Sequence, residues 1–332
     1  MPGRIQGIAD GAYGFGNLGS SRTLLSDYDQ SEIDAQGIRP LTVMNVAYMS
    51  NTLWSGALGA NGVNKGTEEY WHGLAEVNNH GFFGLEAQNV EGLDLHRMEI
   101  TDRVLNDFGY AALFDEAFPD TPEDERYTNE KAGFAISAYL RSLLTNQAPF
   151  QDYLKGDDNA LSESEKNGAL LFFGKANCIS CHNGPSFSNV DFYSLGTKDL
   201  VDAGGIITGN DVDRSLGRAL FTNEERDKYA FKVPQLYNLQ QFATFFHGSS
   251  KTSIEEVVDF KMKAESENVN VSNDRVPLVP FSLTAEEKKD LINFLTTGLL
   301  DDNMDRYVPS SVLSGNCFPN NDIDSRVEIG CE

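Results

Sequence analysis

Long apolar runs are missing from this chain of 332 residues. No stretch of about 18 consecutive apolar residues occurs, so no helix is set to span a membrane. Basic residues are also scarce. Lysine and arginine number 26 against 50 aspartates and glutamates, a formal charge of -24. Phosphate binding needs a basic face, so this balance argues against a nucleic-acid partner. It suits a basic protein partner, a saline habitat, or excess carboxylates that simply keep the chain soluble. Strand-like alternation is rare and no internal repeat is legible. The opening MPGRIQGIADG has neither the basic start nor the apolar core of a signal peptide. Cysteines number four. The length still suffices for two domains, each with its own core.

What is present is helical patterning between loops. The first forty residues, rich in Gly, Ser and Asp, read as loop. Apolar residues recur at three and four through TDRVLNDFGYAALFDEAF and NEKAGFAISAYLRSLL, the second capped by Thr128 or Asn129. APFQDYLKGDDN breaks the pattern near residue 150, where the domain boundary is expected. LSESEKNGALLFFGKANC predicts a helix capped at Ser162. Residues 183 to 245 are loop-rich. Two last helices follow, TSIEEVVDFKMKAES capped by Thr252 or Ser253, and TAEEKKDLINFLTTGLL with a capping box of Thr284 and Glu287.

The chemistry concentrates in CISCH. Two thiols three positions apart reach both vinyl groups of one haem, while the adjacent histidine turns onto the iron. Cys178 and Cys181 are therefore expected to carry thioethers, with His182 as proximal ligand. A zinc site would need a fourth ligand from a second close Cys or His pair, and none follows. Covalent haem attachment of this kind normally happens outside the bacterial cytoplasm. An exported, periplasmic protein is expected, and Met1 is not expected to be the biological start. In an oxidising compartment Cys317 and Cys331 would close a short disulfide loop.

The stretch from FAISAYLRSLL through CISCHNGPSFSNVDFYSLG, with the later FKVPQLYNLQQFATFFHGSS, resembles the bacterial dihaem cytochrome c peroxidases and their relatives in methylamine utilisation. The resemblance covers most of residues 40 to 300. It implies a mainly α fold of two cytochrome c-like haem domains with long loops. Residues 1-150 would form the N-terminal peroxidatic domain and 151-332 the electron-transfer domain. It also implies reduction of hydrogen peroxide to water with electrons from a donor c-type cytochrome or similar small redox protein, and admits a homodimer. A first CxxCH is expected near the family's N-terminus and is absent here. Either the chain begins just downstream of that site, with a second haem still belonging to the N-terminal domain, or it is a single-haem electron carrier. A dihaem oxidase of a protein substrate is a further alternative.

The resemblance nominates further residues. The sixth ligand of the C-terminal haem is expected fourteen positions after the histidine of FFH, here His247. Counting selects Lys261; chemistry favours its neighbour Met262, whose thioether binds without losing a proton and raises the potential. His247 is expected to act as a hydrogen-bonding residue near the haem. Glu99 is the first choice for the acid-base that moves a proton between the peroxide oxygens, with His96 the alternative. Trp54, in NTLWSGALG, matches an aromatic relay between haems. Calcium would be held by Asn45 and the carbonyls of Phe242 and Thr244, hard oxygen donors suited to it.

Overall fold

The computed structural model describes residues 15–18, 21–24, 38–96, 98–202, 212–313 and 315, with backbone alone for 15–18, 21–24 and 212. Cys317 and Cys331, and with them the expected disulfide, lie outside the described residues. The chain is mostly helical. Two short antiparallel ladders supply the strands among the described residues. β1 (Phe15–Leu18) pairs with β2 (Ser21–Leu24) inside the stretch read as loop, and β3 (Phe192–Tyr193) pairs with β4 (Phe231–Lys232). The described residues divide into two compact units, one within 42–144 and 304–316, the other within 1–41, 145–303 and 317–332.

The 42–144 unit is built on α1 (Gly84–Leu95), α2 (Tyr110–Ala117), α3 (Glu123–Arg126) and α4 (Asn129–Ser142). Thr128 caps α4 by accepting from the Lys131 N–H at 3.4 Å. Helical patterning over 101–118 is interrupted at Gly109, whose φ of 75° lies in the left-handed region that favours glycine. α1 packs on α4, with Asn89 Nδ2 donating to the buried Ser137 hydroxyl at 2.9 Å. Leu93, Phe114 and Ala132 form one core, and Leu58, Val77 and Ala87 another. The loop before α1 is held by amides. Asn64 Nδ2 donates to the carbonyls of Gly56, Ala57 and Gly59, and Asn51 and Asn78 bind the same loop.

The other unit contains α5 (Pro149–Leu154), α6 (Glu163–Phe173), α7 (Ala219–Thr222), α8 (Ile254–Lys263) and α9 (Ala285–Asn293). The sequence break near 150 hides α5, which Pro149 opens because proline lacks the N–H that a first turn leaves unpaired. α6 and α9 begin at the expected caps, Thr284 with the expected capping partner Glu287 and Ser162 with Glu165 in a second capping box, each satisfying two end donors reciprocally. Ser253 caps α8. α6 and α9 cross where Gly168 sits. A Cβ there would meet the Asp290 carbonyl oxygen at 2.1 Å and the Phe294 Cβ at 2.6 Å. Phe172, Leu291, Phe294 and Leu299 fill the interface and are almost wholly buried. Burial of each such side chain contributes about 1.5–3 kcal/mol. Phe150, Phe187 and Tyr237 extend this core towards the cysteines, with Phe172 and Phe187 edge to face at 5.2 Å.

Candidate haem site

α6 stops at Gly174, and the chain turns at Asn177, whose φ of 49° is left-handed. The Ala176 N–H still donates to the Leu171 carbonyl at 2.9 Å, tying the turn to the helix. A single helical turn, Cys178–Ser180, follows. Backbone N–H groups of Cys181 and His182 both donate to the Cys178 carbonyl, at 3.2 and 3.0 Å. Positions i, i+3 and i+4 of such a turn share one face. Cys178, Cys181 and His182 are thereby brought together. Both thiols are free.

The imidazole is oriented from behind. His182 Nδ1 stands 2.7 Å from the carbonyl oxygen of Phe187. Only an N–H can face a carbonyl, so this partner fixes the tautomer and leaves Nε2 with the lone pair. The carbonyl reaches back because residues 184–187 form a turn, the Phe187 N–H donating to the Gly184 carbonyl at 2.9 Å. Glycine is required there: a Cβ on residue 184 would lie 1.7 Å from the Ser188 carbonyl oxygen. Asn189 Nδ2 donates to the Cys181 carbonyl at 2.8 Å and secures the far side of the loop.

The electrostatics are those of a desolvated, apolar site. Burial pushes His182 down to about 4, with the Phe187 carbonyl acting in the opposite direction. Burial pushes the Cys178 thiol up to about 11, the charge of Lys261 opposing. Tyr193, on β3, is raised to about 12 by burial and then by Cys181, with which it hydrogen-bonds. Neither spacing nor residue type marks Tyr193 in the sequence. Lys261, on α8, is pushed down to about 8 by burial, both thiols acting against it. Its amine therefore lies within electrostatic reach of Cys178, Cys181 and His182. Met262 packs on the same core cluster as Cys178 and Ile179, and its carbonyl accepts from the Phe281 N–H.

A c-type haem fits this donor set. Two unbridged thiols at the right spacing, a neutral imidazole with one nitrogen tied back and apolar surroundings are what covalent attachment and proximal ligation require. Among the described residues no cluster of three or more His, Cys, Asp or Glu could hold a bare metal ion.

His247 has both ring nitrogens engaged: Nε2 donates to Asp199 Oδ1 at 2.9 Å, and the Thr197 hydroxyl donates to Nδ1 at 3.2 Å. Its ring stacks on Phe231 with centroids 3.7 Å apart. Burial lowers His247 below the ordinary histidine value despite the Asp199 carboxylate. The other nominated residues are dispersed. Trp54 is buried in the 42–144 unit, while Glu99 and His96 are exposed beyond the end of α1. Asn45 is buried with a left-handed φ of 60°. The Phe242 ring lies under the Arg39 guanidinium, and the Thr244 hydroxyl donates to Ser249 Oγ at 3.2 Å. Sequence reasoning passed over the ion pair between Glu86 and Arg141, which joins α1 to α4 beside Phe82 and Phe134. Among the described residues, no helix is long and apolar enough to cross a membrane.

Known proteins resemble this chain in sequence and in fold. Residues 17–159 match the family described as Di-haem cytochrome c peroxidase. The chain is similar to Methylamine utilization protein MauG of Methylorubrum extorquens, 30% identical over 241 residues that make up 70% of this chain and 61% of that protein. It is also similar to Cytochrome-c peroxidase IdrP1 of a Pseudomonas species, 28% identical over 279 residues, 76% of this chain and 66% of the relative. The matches thus span less than two thirds of those relatives' own lengths. A solved MauG-like protein associated with microbial copper homeostasis superposes with a TM-score of 0.58 at 23% identity, over 85% of this chain and 79% of that one, a likeness of fold alone.

Proposed function

The chain belongs to the dihaem cytochrome c peroxidase family, and from that premise we propose that it is a periplasmic oxidoreductase reducing hydrogen peroxide to water with electrons from a small donor c-type cytochrome. The observation that carries this reading is the pair of free thiols beside an imidazole whose Nδ1 is held by the Phe187 carbonyl. Cys178 and Cys181 would hold the haem through two thioethers, each formed by adding S–H across one vinyl group of the b-type precursor with no leaving group. His182 keeps Nδ1–H on Phe187 and offers its Nε2 lone pair to the iron. Bound haem supplies a centre that accepts and passes on single electrons.

Two electrons and two protons turn one peroxide into two waters. Glu99, or in its place His96, is proposed to carry a proton from one peroxide oxygen to the other. Trp54 is proposed as the relay through which electrons leave the C-terminal haem domain, residues 151–332, for a second haem in the N-terminal domain, residues 1–150. Calcium is proposed to bind Asn45 and the carbonyls of Phe242 and Thr244, and the assembly is proposed to be a homodimer. Steady-state peroxide consumption by the haem-loaded protein with a reduced small cytochrome tests the whole. Turnover is expected, falling about 100-fold or more in Glu99→Gln; a loaded protein that consumes no peroxide rejects it.

One observation favours a second reading, a single-haem electron carrier: Glu99 and His96 are exposed, whereas an acid-base is tuned by burial and neighbours. That carrier would hold one haem per chain and show a spectrum unchanged by peroxide.

A further inference from the structure

Phe187 holds a backbone that its side chain disfavours. Its φ of 54° lies in the left-handed region, where the Cβ of an L-residue crowds the following carbonyl and a bulky side chain is an outlier. The conformation is disfavoured about tenfold for a residue with a Cβ, whereas glycine adopts it freely. Such strain persists only where the surroundings over-determine it. Here the surroundings are aromatic. The Phe187 ring is buried, with Phe172 and Phe294 edge to face at 5.2 and 6.5 Å and Phe150, Phe173 and Tyr237 tilted against it at 5.7, 6.1 and 5.6 Å. The residues on either side are tied down as well: the Leu236 N–H donates to the Ser186 carbonyl at 3.3 Å, and the Ser188 hydroxyl donates to the Val233 carbonyl at 2.7 Å. Leu53, Tyr229 and Phe246 are also left-handed. Phe187 differs in the use of its carbonyl, which accepts the Nδ1–H of His182 at 2.7 Å.

We propose that the Phe187 ring is the positioning element of the proximal histidine: seated in the aromatic core built on α6 and α9, it holds its own backbone left-handed and so keeps the carbonyl on His182 Nδ1. This rests on the haem reading above and deepens it. A bonded Nδ1–H makes the imidazole a more basic donor, and a more basic donor favours ferric iron. Packing of the α6–α9 core thereby sets the potential of the haem through its ligand.

The test is hydrogen exchange of the His182 ring N–H, read by NMR in the reduced haem-loaded protein, together with the midpoint potential. The wild type is expected to exchange slowly, and Phe187→Leu, which keeps an apolar anchor, to match it in both readings. Phe187→Ala keeps the Cβ but loses the anchor, so exchange is expected to quicken about tenfold and the potential to rise. Phe187→Gly loses the same ring without the left-handed penalty. It is expected to exchange more slowly than Phe187→Ala and to return towards the wild-type potential. Leu291→Ala, at a buried core position on α9, is expected to lose stability with both readings unchanged. A general loosening of the core would move Phe187→Ala, Phe187→Gly and Leu291→Ala alike, and that result overturns the inference while leaving the haem reading intact. So does a wild-type ring N–H that exchanges as fast as free imidazole, whether or not the variants fold. Protein that carries no haem at all sinks the haem reading, and this inference with it.

Discussion

His182 Nδ1 and the Phe187 carbonyl oxygen stand 2.7 Å apart, five residues from each other along a loop that doubles back at Gly184. This contact decides which imidazole nitrogen is available. A carbonyl placed there by a backbone turn does for the histidine what a carboxylate does in many metal sites.

Gly184→Ala tests the turn. The new Cβ meets the Ser188 carbonyl oxygen, a backbone atom that cannot swing aside, so the loop must open. Overpacking of this kind costs about 1–3 kcal/mol. Urea titration of the loaded protein is expected to show that loss. Unchanged stability would mean that the Phe187 carbonyl is not held as described.

The crossing of α6 and α9 gives a second prediction. Gly168→Ala gains up to about 1 kcal/mol of helix propensity. It also drives a methyl into the Asp290 carbonyl and Phe294, so a net destabilisation is expected. Phe172→Ala, at a side chain with no exposed surface, is expected to cost about 3–5 kcal/mol. Thermal or chemical denaturation ranks the two, and a stabilised Gly168→Ala would contradict the close approach.

Asn64 concerns the other unit. Its amide donates to three carbonyls within the loop that carries Trp54. Leaving buried acceptors underpaired costs about 1–3 kcal/mol. Asn64→Ala is therefore expected to lower stability by that amount and to shift tryptophan emission to the red. An unchanged emission would place Trp54 outside the influence of this network.

His247 gives the pH dependence. Its folded value lies below the ordinary one because burial outweighs the Asp199 carboxylate. The neutral ring is the folded form. Its contribution is fully present above about pH 6.5, the unfolded value, and is lost as pH falls below that. Denaturant midpoints are expected to drop between pH 7.5 and 5.5, with a shallower drop in His247→Gln. Equal slopes in the two proteins would contradict the assignment.

These residues also mark what the sequence could disclose. The caps at Ser162 and Thr284 were legible because a cap is a local bond between side chain and backbone. The CISCH turn was legible for the same reason. α1 was not, because its buried positions include Gly84 and Ala87, which leave a weak apolar stripe. The Phe187 carbonyl leaves no side-chain trace. Choosing between Lys261 and Met262 depends on how α8 is rotated against its neighbours, which tertiary packing fixes.

The most direct test is mass spectrometry of protein made in a host able to attach haem c, digested after extraction with acidified solvent and alkylation. The peptide containing Cys178 and Cys181 is expected to retain the mass of one haem, resist alkylation at both sulfurs and carry the Soret absorbance. A colourless peptide with both thiols alkylated would contradict the account at its root.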